Sequence, residues 1–404
     1  MSAPCPLPLR PREAAKPSSW LQVVSHLDAK FGGIAALLPM FCAAAEAENA
    51  HSPVAGFCDH RETTNAIGTL EDVTCIPASR LGWAMKPALR GQMKDLVRKS
   101  DGIHIHGIWE THCAVGAALA QNCRRPYIVS AHGMLERWAL QAKRLKKAVY
   151  ATLVETHNLR KAACLRALTL SEVNDYRRIG LTNPVAVVPN GVAVPDQVSP
   201  DPFLEAFPQL EGKRIVLFLG RLHAKKGVTM LVRAWSKMAK TADDIHLVIA
   251  GPDFDDSQPA LAGLVDELDI SNQVTFTGML AGPMKWSALA AASLFVLPSF
   301  SEGFSVAVLE ALGMCVPVIV TGGCNIPEVA EARCGWVIPP EQRALEIALV
   351  EALRLSEGEL RDLGERGKDL VSARFTWPMV GQQMAEVYRW VLGGPTPYNV
   401  PIFE

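Results

Sequence analysis

The sequence predicts an α/β protein made of two successive doubly wound domains, each a parallel sheet covered by helices. Short apolar segments recur along the chain, and each is followed by Gly, Ser, His or Pro and then by a stretch of helical composition. This order is typical of βαβ units, which place their strands in parallel sheets. With 404 residues, of which 49% are apolar, the chain is long enough to bury two hydrophobic cores.

The first domain is predicted over residues 20–195, after a Pro-rich, disordered leader at residues 1–19. Its first strand is WLQVVS at residues 20–25, and the glycine turn FGG, which ends at Gly33, leads into an Ala-rich helix at residues 34–47. Four more strand-and-turn segments are predicted at residues 103–107, 127–133, 167–172 and 185–192.

A segment rich in prolines and acidic residues interrupts the pattern at residues 196–212 and predicts a linker. The second domain is predicted over residues 213–376. The last helix begins at Trp377, after the second sheet is complete, so residues 377–404 are expected to cross back to the first domain as a helix and a tail. Five strands are predicted in the second domain, at residues 214–222, 245–253, 274–280, 294–298 and 316–323.

The stretch at residues 299–323 combines two glutamates, a glycine turn, a helix and a strand. If the helix begins near Ser305, Glu302 lies at its mouth and Glu310 lies in its second turn. Backbone N–H groups in a first helical turn have no intrahelical partner, so this mouth is a ready site for an anion. Two carboxylates beside an anion fit a bound nucleotide sugar, because one can meet sugar hydroxyls and the other a ribose.

The segment GRLHAKKG places Arg221 and Lys226 five residues apart after a buried strand. Two cations that converge on a helix mouth would hold a diphosphate and stabilise the charge that develops on a leaving group. Arg and Lys in such loops are most often simply solvated. The diphosphate interpretation therefore depends on Glu302, Gly303 and Glu310 downstream.

Taken together, these motifs resemble the retaining, nucleotide-sugar-dependent glycosyltransferases of family 4. That family has the GT-B fold, in which two Rossmann-like domains face a central cleft. The resemblance extends from Trp20 to about Trp390. It is carried by Glu302 with seven intervening residues before Glu310, and by the segments GRLHAKKG, VVPNGV, FGG and SAHG.

On the donor side, the resemblance implies a role for each matching residue. Glu302 contacts the hydroxyls of the donor sugar, and Glu310 holds the ribose. Arg221 and Lys226 bind the donor diphosphate. The backbone of the segment that follows Glu302 reaches the phosphates; its residues are Gly303, Phe304 and Ser305.

In the first domain, the resemblance implies that Gly33 allows close approach of the chain to the donor phosphate and the acceptor. His132 is the candidate histidine near the transferred sugar. Asn190 and Glu172 match positions at which the family often has polar residues near the cleft. For His106, a position at the rim of the cleft and a structural role as a hydrogen-bonded histidine remain equally open.

By the same resemblance, the chain moves a sugar from a UDP- or GDP-sugar to a glycan, lipid-linked or small-molecule acceptor, with retained anomeric configuration. Cell-envelope or exopolysaccharide synthesis is the expected setting. No cofactor is expected to be permanently bound, and no metal is expected to be required. Two alternatives stay open: a nucleotide-sugar isomerase of the 2-epimerase type, and a catalytically inactive nucleotide-sugar-binding protein. A glycosidase function would not explain the cationic pair of Arg221 and Lys226.

Two patterns raise the question of a metal site. The D-x-D of Asp253 and Asp255 resembles a metal-diphosphate motif, but its polar surroundings favour a solvated loop. His104 and His106 alternate on one predicted strand and so share a face, without a nearby third ligand. We therefore predict no metal site.

Charge and cysteine content bear on partners and location. The net charge of −1 argues against nucleic-acid binding, although residues 1–200 carry 23 basic and 16 acidic residues. A basic amphipathic helix at residues 137–153 either packs on the core with a solvated outer face or binds an anionic membrane surface. Ten cysteines without a C-x-x-C pair predict free buried thiols in a reducing compartment. The predicted location is cytoplasmic, with peripheral attachment to the inner face of the plasma membrane as the alternative.

Overall fold

A computed structural model of the chain divides into two compact units, and neither unit is continuous in sequence. The first unit comprises Met1–Ser130, Leu153–Leu165 and Gly381–Pro401, and the second comprises Ala131–Thr152, Arg166–Val380 and Ile402–Glu404. The predicted domain ranges and linker remain predictions. The structure describes residues 17–27, 33–58, 70, 72–77, 87–136, 155–239, 244–253 and 255–404.

The strands of the described residues are short and mostly buried. They are β1 Ser18–His26, β2 Ala50–His51, β3 Val54–Cys58, β4 Val73–Pro77, β5 Gly102–His106, β6 Tyr127–Ser130, β7 Cys164–Ala167, β8 Val185–Val187, β9 Arg214–Leu219, β10 Ile245–Ala250, β11 Val274–Gly278, β12 Ala292–Leu297, β13 Val318–Thr321, β14 Gly335–Ile338 and β15 Ile402–Phe403.

Helices follow most of these strands, as βαβ units require. They are α1 Gly33–Glu46, α2 Pro87–Lys99, α3 Thr111–Asn122, α4 Thr156–Lys161, α5 Leu170–Arg178, α6 Asp201–Ala206, α7 Val228–Ala239, α8 Ser257–Glu267, α9 Gly282–Ala291, α10 Val306–Gly313, α11 Glu328–Glu331, α12 Gln342–Arg354, α13 Glu357–Arg374 and α14 Trp377–Val391. Among the described residues, no helix is both long enough and apolar enough to cross a membrane.

In the first unit, the strands pair in parallel in the order β6-β5-β1-β3-β4, and β2 also pairs with β1. Strand β1 is central, and its Leu21 and Val23 lie opposite Ile103 and Ile105 of β5. All four side chains are buried. The predicted strands at residues 20–25, 103–107 and 127–133 and the helix at residues 34–47 are confirmed by β1, β5, β6 and α1.

Residues 381–391 of α14 belong to the first unit, where Tyr388 joins a buried polar network. The Tyr388 ring stacks on Trp20 with ring centroids 4.2 Å apart, and its hydroxyl lies 2.8 Å from Nδ1 of His104. His104 stacks on His106, and Nε2 of His106 lies 2.9 Å from Oε1 of Gln22. The two histidines share one face, as predicted, and have buried polar partners in the sheet.

In the second unit, six parallel strands follow the order β11-β10-β9-β12-β13-β14. Leu217 in β9 lies opposite both Val248 of β10 and Phe295 of β12, so it occupies the centre of the core. The apolar strands are buried on both faces, which explains why they read as continuous apolar runs rather than alternating ones. Near the C-terminus, β15 pairs with β8 in antiparallel orientation.

Several predicted elements differ from the structure. The second sheet has a sixth strand, β14, whose short GWVI segment was not predicted. The strand predicted at residues 167–172 is wrong: β7 ends at Ala167 and α5 begins at Leu170. Thr169 caps α5 through its hydroxyl and so ends the extended segment there.

Residues 196–212, predicted as a linker, contain the short helix α6. Phe203 and Leu210 from this segment are fully buried in the core of the second unit. Among the cysteines, Cys75 in β4 is disulfide-bonded, which corrects the expectation that all thiols are free. The prediction failed because the spacing of cysteines along the sequence does not show which of them strand pairing brings close together. Seven other described cysteines are free.

Candidate functional site

The site is organised around Glu302, which lies just before helix α10. Ser305 is the N-cap of this helix, as predicted, and Glu302 lies three residues before it. Oε1 of Glu302 accepts a hydrogen bond from Oγ of Ser299 at 2.5 Å and lies 2.6 Å from Nζ of Lys226. The N–H of Glu302 donates to the carbonyl oxygen of Gly323 at 2.7 Å. The carboxylate is therefore held by its backbone, a hydroxyl and an ammonium.

Lys226 reaches Glu302 because β9 and β12 are neighbours and end at the same edge of the sheet. A 3-10 helix at Ala224–Lys226 follows β9 and ends at Gly227, whose φ is 71°. A Cβ atom on Gly227 would lie 2.2 Å from the carbonyl oxygen of Pro298, the residue that follows β12. Only glycine fits this close approach, which fixes the Lys226 loop against the Glu302 loop.

Arg221 lies in the same loop as Lys226 and is exposed. The loop leaves β9 beside the end of β10. There, Gly251 packs on the carbonyl group of Gly220 too closely to admit a Cβ atom. The structure thus places Arg221 at the carboxyl edge of the sheet. Its contact with a diphosphate stays a prediction.

Glu310 lies in the second turn of α10, as predicted, and forms an ion pair that the sequence did not indicate. Its Oε1 lies 2.6 Å from Nζ of Lys285 in α9. That ammonium also lies 4.5 Å above the ring of Trp286. The carboxylate expected to hold a ribose therefore has a cationic neighbour whose charge it neutralises.

A strained turn packs against the residue after Glu302. His132 and Gly133 are consecutive and both have positive φ values, 52° and 75°. A Cβ atom on Gly133 would lie 2.4 Å from Cα of Gly303, so the two glycine backbones are in direct contact. The structure therefore brings the turn at His132 and Gly133 and the Glu302 segment together within the second unit.

Glu172 holds this turn from the protein interior. Its two carboxylate oxygens accept hydrogen bonds from the N–H groups of Gly133 and Leu168, each at 2.7 Å. Burial raises the pKa of Glu172 to about 7, against these two bonds and the charge of Arg166, which act to lower it. Burial, aided by the Arg166 cation, lowers the pKa of His132 to about 3, so its imidazole is neutral at physiological pH.

Comparison with known proteins identifies the family. Residues 202–370 match the family described as "Glycosyl transferases group 1", and residues 41–191 match the family described as "Glycosyl transferase 4-like domain". Both parts of the chain thus match glycosyltransferase families, which together support a GT-B glycosyltransferase of the family 4 type. The resemblance predicted from the motifs, and the α/β fold with parallel sheets in two domains, are confirmed.

Two curated relatives and one solved structure show the extent of the similarity. Alpha-D-kanosaminyltransferase of Streptomyces kanamyceticus is 28% identical over 181 residues, which cover 45% of this family 4 chain and 46% of that protein. Phosphatidyl-myo-inositol mannosyltransferase of Mycobacterium leprae is 31% identical over 209 residues, which cover 50% and 53% of the two chains. The family 4 chain thus spans about half the length of these curated relatives.

The solved structure is Anabaena HepE in complex with UDP and glucose. It superposes with a TM-score of 0.73 over 92% of this chain and 100% of that chain, at 20% sequence identity. At this level of identity the likeness shows the shared fold.

The remaining predicted residues lie in other parts of the chain. Gly33 is the first residue of α1 in the first unit, with open space where a Cβ atom would lie. Phe31 and Gly32 of the predicted FGG turn, and all of residues 137–153 that were predicted to form the basic helix, lie outside the described residues. Asn190 accepts a hydrogen bond from the buried guanidinium of Arg166 at 3.1 Å.

Both aspartates of the D-x-D have protein partners. The Asp253 carboxylate accepts hydrogen bonds from the N–H groups of Ser257 and Gln258 at the start of α8, at 2.8 and 3.0 Å. Asp255 lies 3.1 Å from Nε2 of His223. In the part of the chain that the structure describes, no group of three His, Cys, Asp or Glu side chains is arranged to hold a metal ion.

Two residues of the site were missed by sequence reasoning, Lys285 and Glu136. Glu136 is buried, and its Oε2 accepts from the hydroxyl of Ser301 and lies 3.4 Å from Nζ of Lys225. Glu136 is 165 residues from Ser301 and 89 from Lys225, so no spacing rule connects them. Its position three residues after the SAHG segment was the one available signal.

Proposed function

We propose that this chain is a retaining, hexosyltransferase-type glycosyltransferase that uses a nucleoside-diphosphate sugar. The observation that carries the proposal is the 2.6 Å pair of Lys226 and Glu302 just before the N-terminus of α10. Binding of a diphosphate joined to a sugar requires a cation and a helix N-terminus for the phosphates, and a carboxylate for the sugar hydroxyls. Glycosyltransferase family membership supports the same reaction class.

The donor and the acceptor are proposed from the relatives. HepE was solved with UDP and glucose, which supports a UDP-sugar donor, with a GDP-sugar as the alternative. A relative named phosphatidyl-myo-inositol mannosyltransferase supports a lipid-linked acceptor. We propose a glycan, lipid-linked or small-molecule acceptor, in cell-envelope or exopolysaccharide synthesis, and no requirement for a metal ion or bound cofactor.

In the proposed reaction, the bond between the anomeric carbon and the diphosphate oxygen breaks, and a bond from that carbon to the acceptor oxygen forms on the same face. The acceptor proton passes to a phosphate oxygen of the leaving diphosphate. Lys226 and Arg221 stabilise the charge that develops on the diphosphate, and the backbone of Gly303, Phe304 and Ser305 contributes N–H groups. Glu302 orients the sugar hydroxyls, and Glu310 the ribose.

His132 is proposed to contact the transferred sugar as a neutral hydrogen-bonding group. Its imidazole carries no charge near neutral pH, since burial lowers its pKa to about 3. It therefore positions hydroxyls and does not act as a cation. Gly33 is proposed to permit approach of donor phosphate and acceptor in the first unit.

A donor panel with mass spectrometry tests this function. Purified protein is incubated with UDP- and GDP-sugars, with and without lipid-linked and glycan acceptor extracts, and with or without EDTA. We expect a product that forms only with an acceptor and that EDTA does not abolish. NMR of this product should show the same anomeric configuration as in the donor. Donor conversion without acceptor would identify a nucleotide-sugar isomerase. Nucleotide binding with neither transfer nor donor hydrolysis would identify an inactive binding protein.

We also propose a cytoplasmic location, with the basic segment at residues 137–153 attaching the chain to an anionic membrane surface. The excess of basic residues in the first 200 positions supports the attachment. Flotation with anionic liposomes at low and high salt measures it. Binding that salt abolishes is the expected result, and no binding at low salt would contradict the attachment.

A further inference from the structure

Glu136 contacts the chain neighbours of both residues on which the proposed chemistry depends. Its Oε2 accepts a hydrogen bond from Ser301, which precedes Glu302. The same oxygen lies 3.4 Å from Nζ of Lys225, which precedes Lys226. Three residues before Glu136, Gly133 is packed on Gly303, which follows Glu302. The segment 131–136 therefore contacts both sides of Glu302 and one side of Lys226.

The two loops that Glu136 joins are also in direct contact. The N–H of Phe300 donates to the carbonyl oxygen of Lys225 at 2.8 Å. The backbones of Gly227 and Pro298 in these loops are also packed closely together. The Glu136 carboxylate adds contacts to both loops from a separate segment, which restrict the orientation of Lys226 towards Glu302.

The Glu136 carboxylate is in an unfavourable position for a group that serves stability alone. Its side chain is only 10% exposed, and Oε1 is buried without a hydrogen-bond partner among the described residues. An unsatisfied buried acceptor destabilises a fold.

We propose that Glu136 is a positioning residue for sugar transfer, which orients Lys226 and Glu302 through their neighbours Lys225 and Ser301. This inference rests on the proposed glycosyltransferase function. It assigns Glu136 no contact with the donor. The residue sets the geometry of the groups that stabilise the transition state, so its loss should lower kcat and leave donor binding largely intact.

The test compares Glu136→Gln with Lys225→Met and with the double variant. Glutamine keeps an oxygen that can accept from Ser301, and loses the charge that attracts Lys225. We expect kcat to fall about 10- to 100-fold, with a donor KM within about twofold of the wild type. The two single effects should not add in the double variant, because both variants break the same link.

Glu346→Gln is the matched control. Glu346 is a similarly covered glutamate, 13% exposed, in α12 of the same unit, and it pairs with Arg343. This variant should keep the wild-type kcat and KM. The melting temperature of Glu136→Gln should stay within about 2 °C of the wild type. If that variant does not fold, Ser301→Ala provides the same comparison from the other side of the link.

The possible failures are distinguishable. If the wild type transfers sugar and Glu136→Gln keeps its kcat, the positioning role is overturned while the proposed function stands. Additive losses in the double variant would also overturn it, because Glu136 and Lys225 would then act independently. If the wild type transfers no sugar from any donor tested, the proposed function itself fails.

Discussion

The side chains of Lys226 and Glu302 are 17% and 11% exposed, and they form an ion pair at 2.6 Å. In such a shielded position each charge needs the other, since an unpaired buried charge is strongly destabilising. A bound diphosphate would give Lys226 a second anionic partner, and sugar hydroxyls would give Glu302 donors. Under the proposed function, the pair would exchange partners with the donor substrate.

Replacing Lys226 with methionine should abolish most of the transfer activity. The side chain keeps its length but loses the charge that is proposed to stabilise the leaving diphosphate, so we expect kcat to fall about 100- to 1,000-fold. Lys237→Met, at an exposed position in α7, is the control and should leave kcat unchanged. Circular dichroism and melting temperature check the fold. A Lys226→Met variant with near-normal turnover would refute the diphosphate role.

Glu172 should make the stability of the protein depend on pH. Burial raises its pKa from the ordinary value of 4.5 to about 7 in the folded state. Between these values the folded protein binds the proton more tightly than the unfolded chain, so stability falls as pH rises through this window. The loss is about 1.4 kcal/mol for each pH unit crossed.

Glu172→Gln removes this contribution, so its melting temperature should fall less than that of the wild type between pH 5 and pH 8. The variant should be less stable overall, because an amide cannot accept from both Gly133 and Leu168 through two oxygens. The exposed Glu205 supplies a control, Glu205→Gln, which should keep the wild-type slope. Equal slopes in Glu172→Gln and wild type would contradict the assignment.

At the scale of elements, the site depends on loops that leave neighbouring strands at one edge of the second sheet. Strands β9 and β12 are paired, and the loops after them carry Lys226 and Glu302. The turn at His132 and Gly133 is a third element, held by Glu172 on one side and by contact with Gly303 on the other. Glycines make these contacts possible because a side chain would separate the backbones.

Gly133→Ala should disrupt this contact, whereas Gly212→Ala should not. Both glycines have nearly the same φ, 75° and 71°, so alanine costs about 1–2 kcal/mol of backbone strain at either site. The two positions differ in the space around an added Cβ atom. On Gly133 it would lie 2.4 Å from Cα of Gly303, whereas on Gly212 it would meet nothing within 4 Å. Melting temperature and kcat should both fall further in Gly133→Ala. Identical behaviour of the two variants would show that the close contact is unimportant.

At the scale of the whole molecule, the first unit is completed by residues from the C-terminal end of the chain. The side chain of Tyr388 is fully buried, stacks on Trp20 and bonds to His104. Residues almost 370 positions apart therefore form one core. The first unit cannot reach its full stability until this end of the chain has been synthesised.

Tyr388→Ala should destabilise the first unit by about 3–5 kcal/mol, because it leaves a cavity and removes the hydroxyl partner of His104. Tyr398→Ala is the control, since Tyr398 is 62% exposed and its loss should change stability by less than about 0.5 kcal/mol. Urea unfolding followed by limited proteolysis measures both effects. If Tyr388→Ala unfolds at the same urea concentration as the control, the C-terminal segment does not stabilise the first unit.

Much of the local structure followed from composition. The apolar runs of β1, β6, β9 and β10 were recognisable because buried parallel strands need continuous apolar side chains, whereas β5 was recognisable from the alternation of Ile and His. The start of α10 followed from the helical composition after Ser305. Strand β14 was missed because GWVI is short and only partly buried. The end of β7 was misplaced because the hydroxyl cap of Thr169 begins a helix in a segment that looks extended.

The sequence alone determined the fold class, the family resemblance and the candidate residues Glu302, Glu310, Arg221 and Lys226. Motifs at fixed spacing within one loop or helix carry this information, since local geometry follows from local sequence. Only the tertiary structure decided that Lys226 pairs with Glu302, that Glu310 pairs with Lys285, and that Glu136 contacts Lys225 and Ser301. These partners lie 25 to 165 residues apart, and tertiary packing brings them together, which no spacing along the chain encodes.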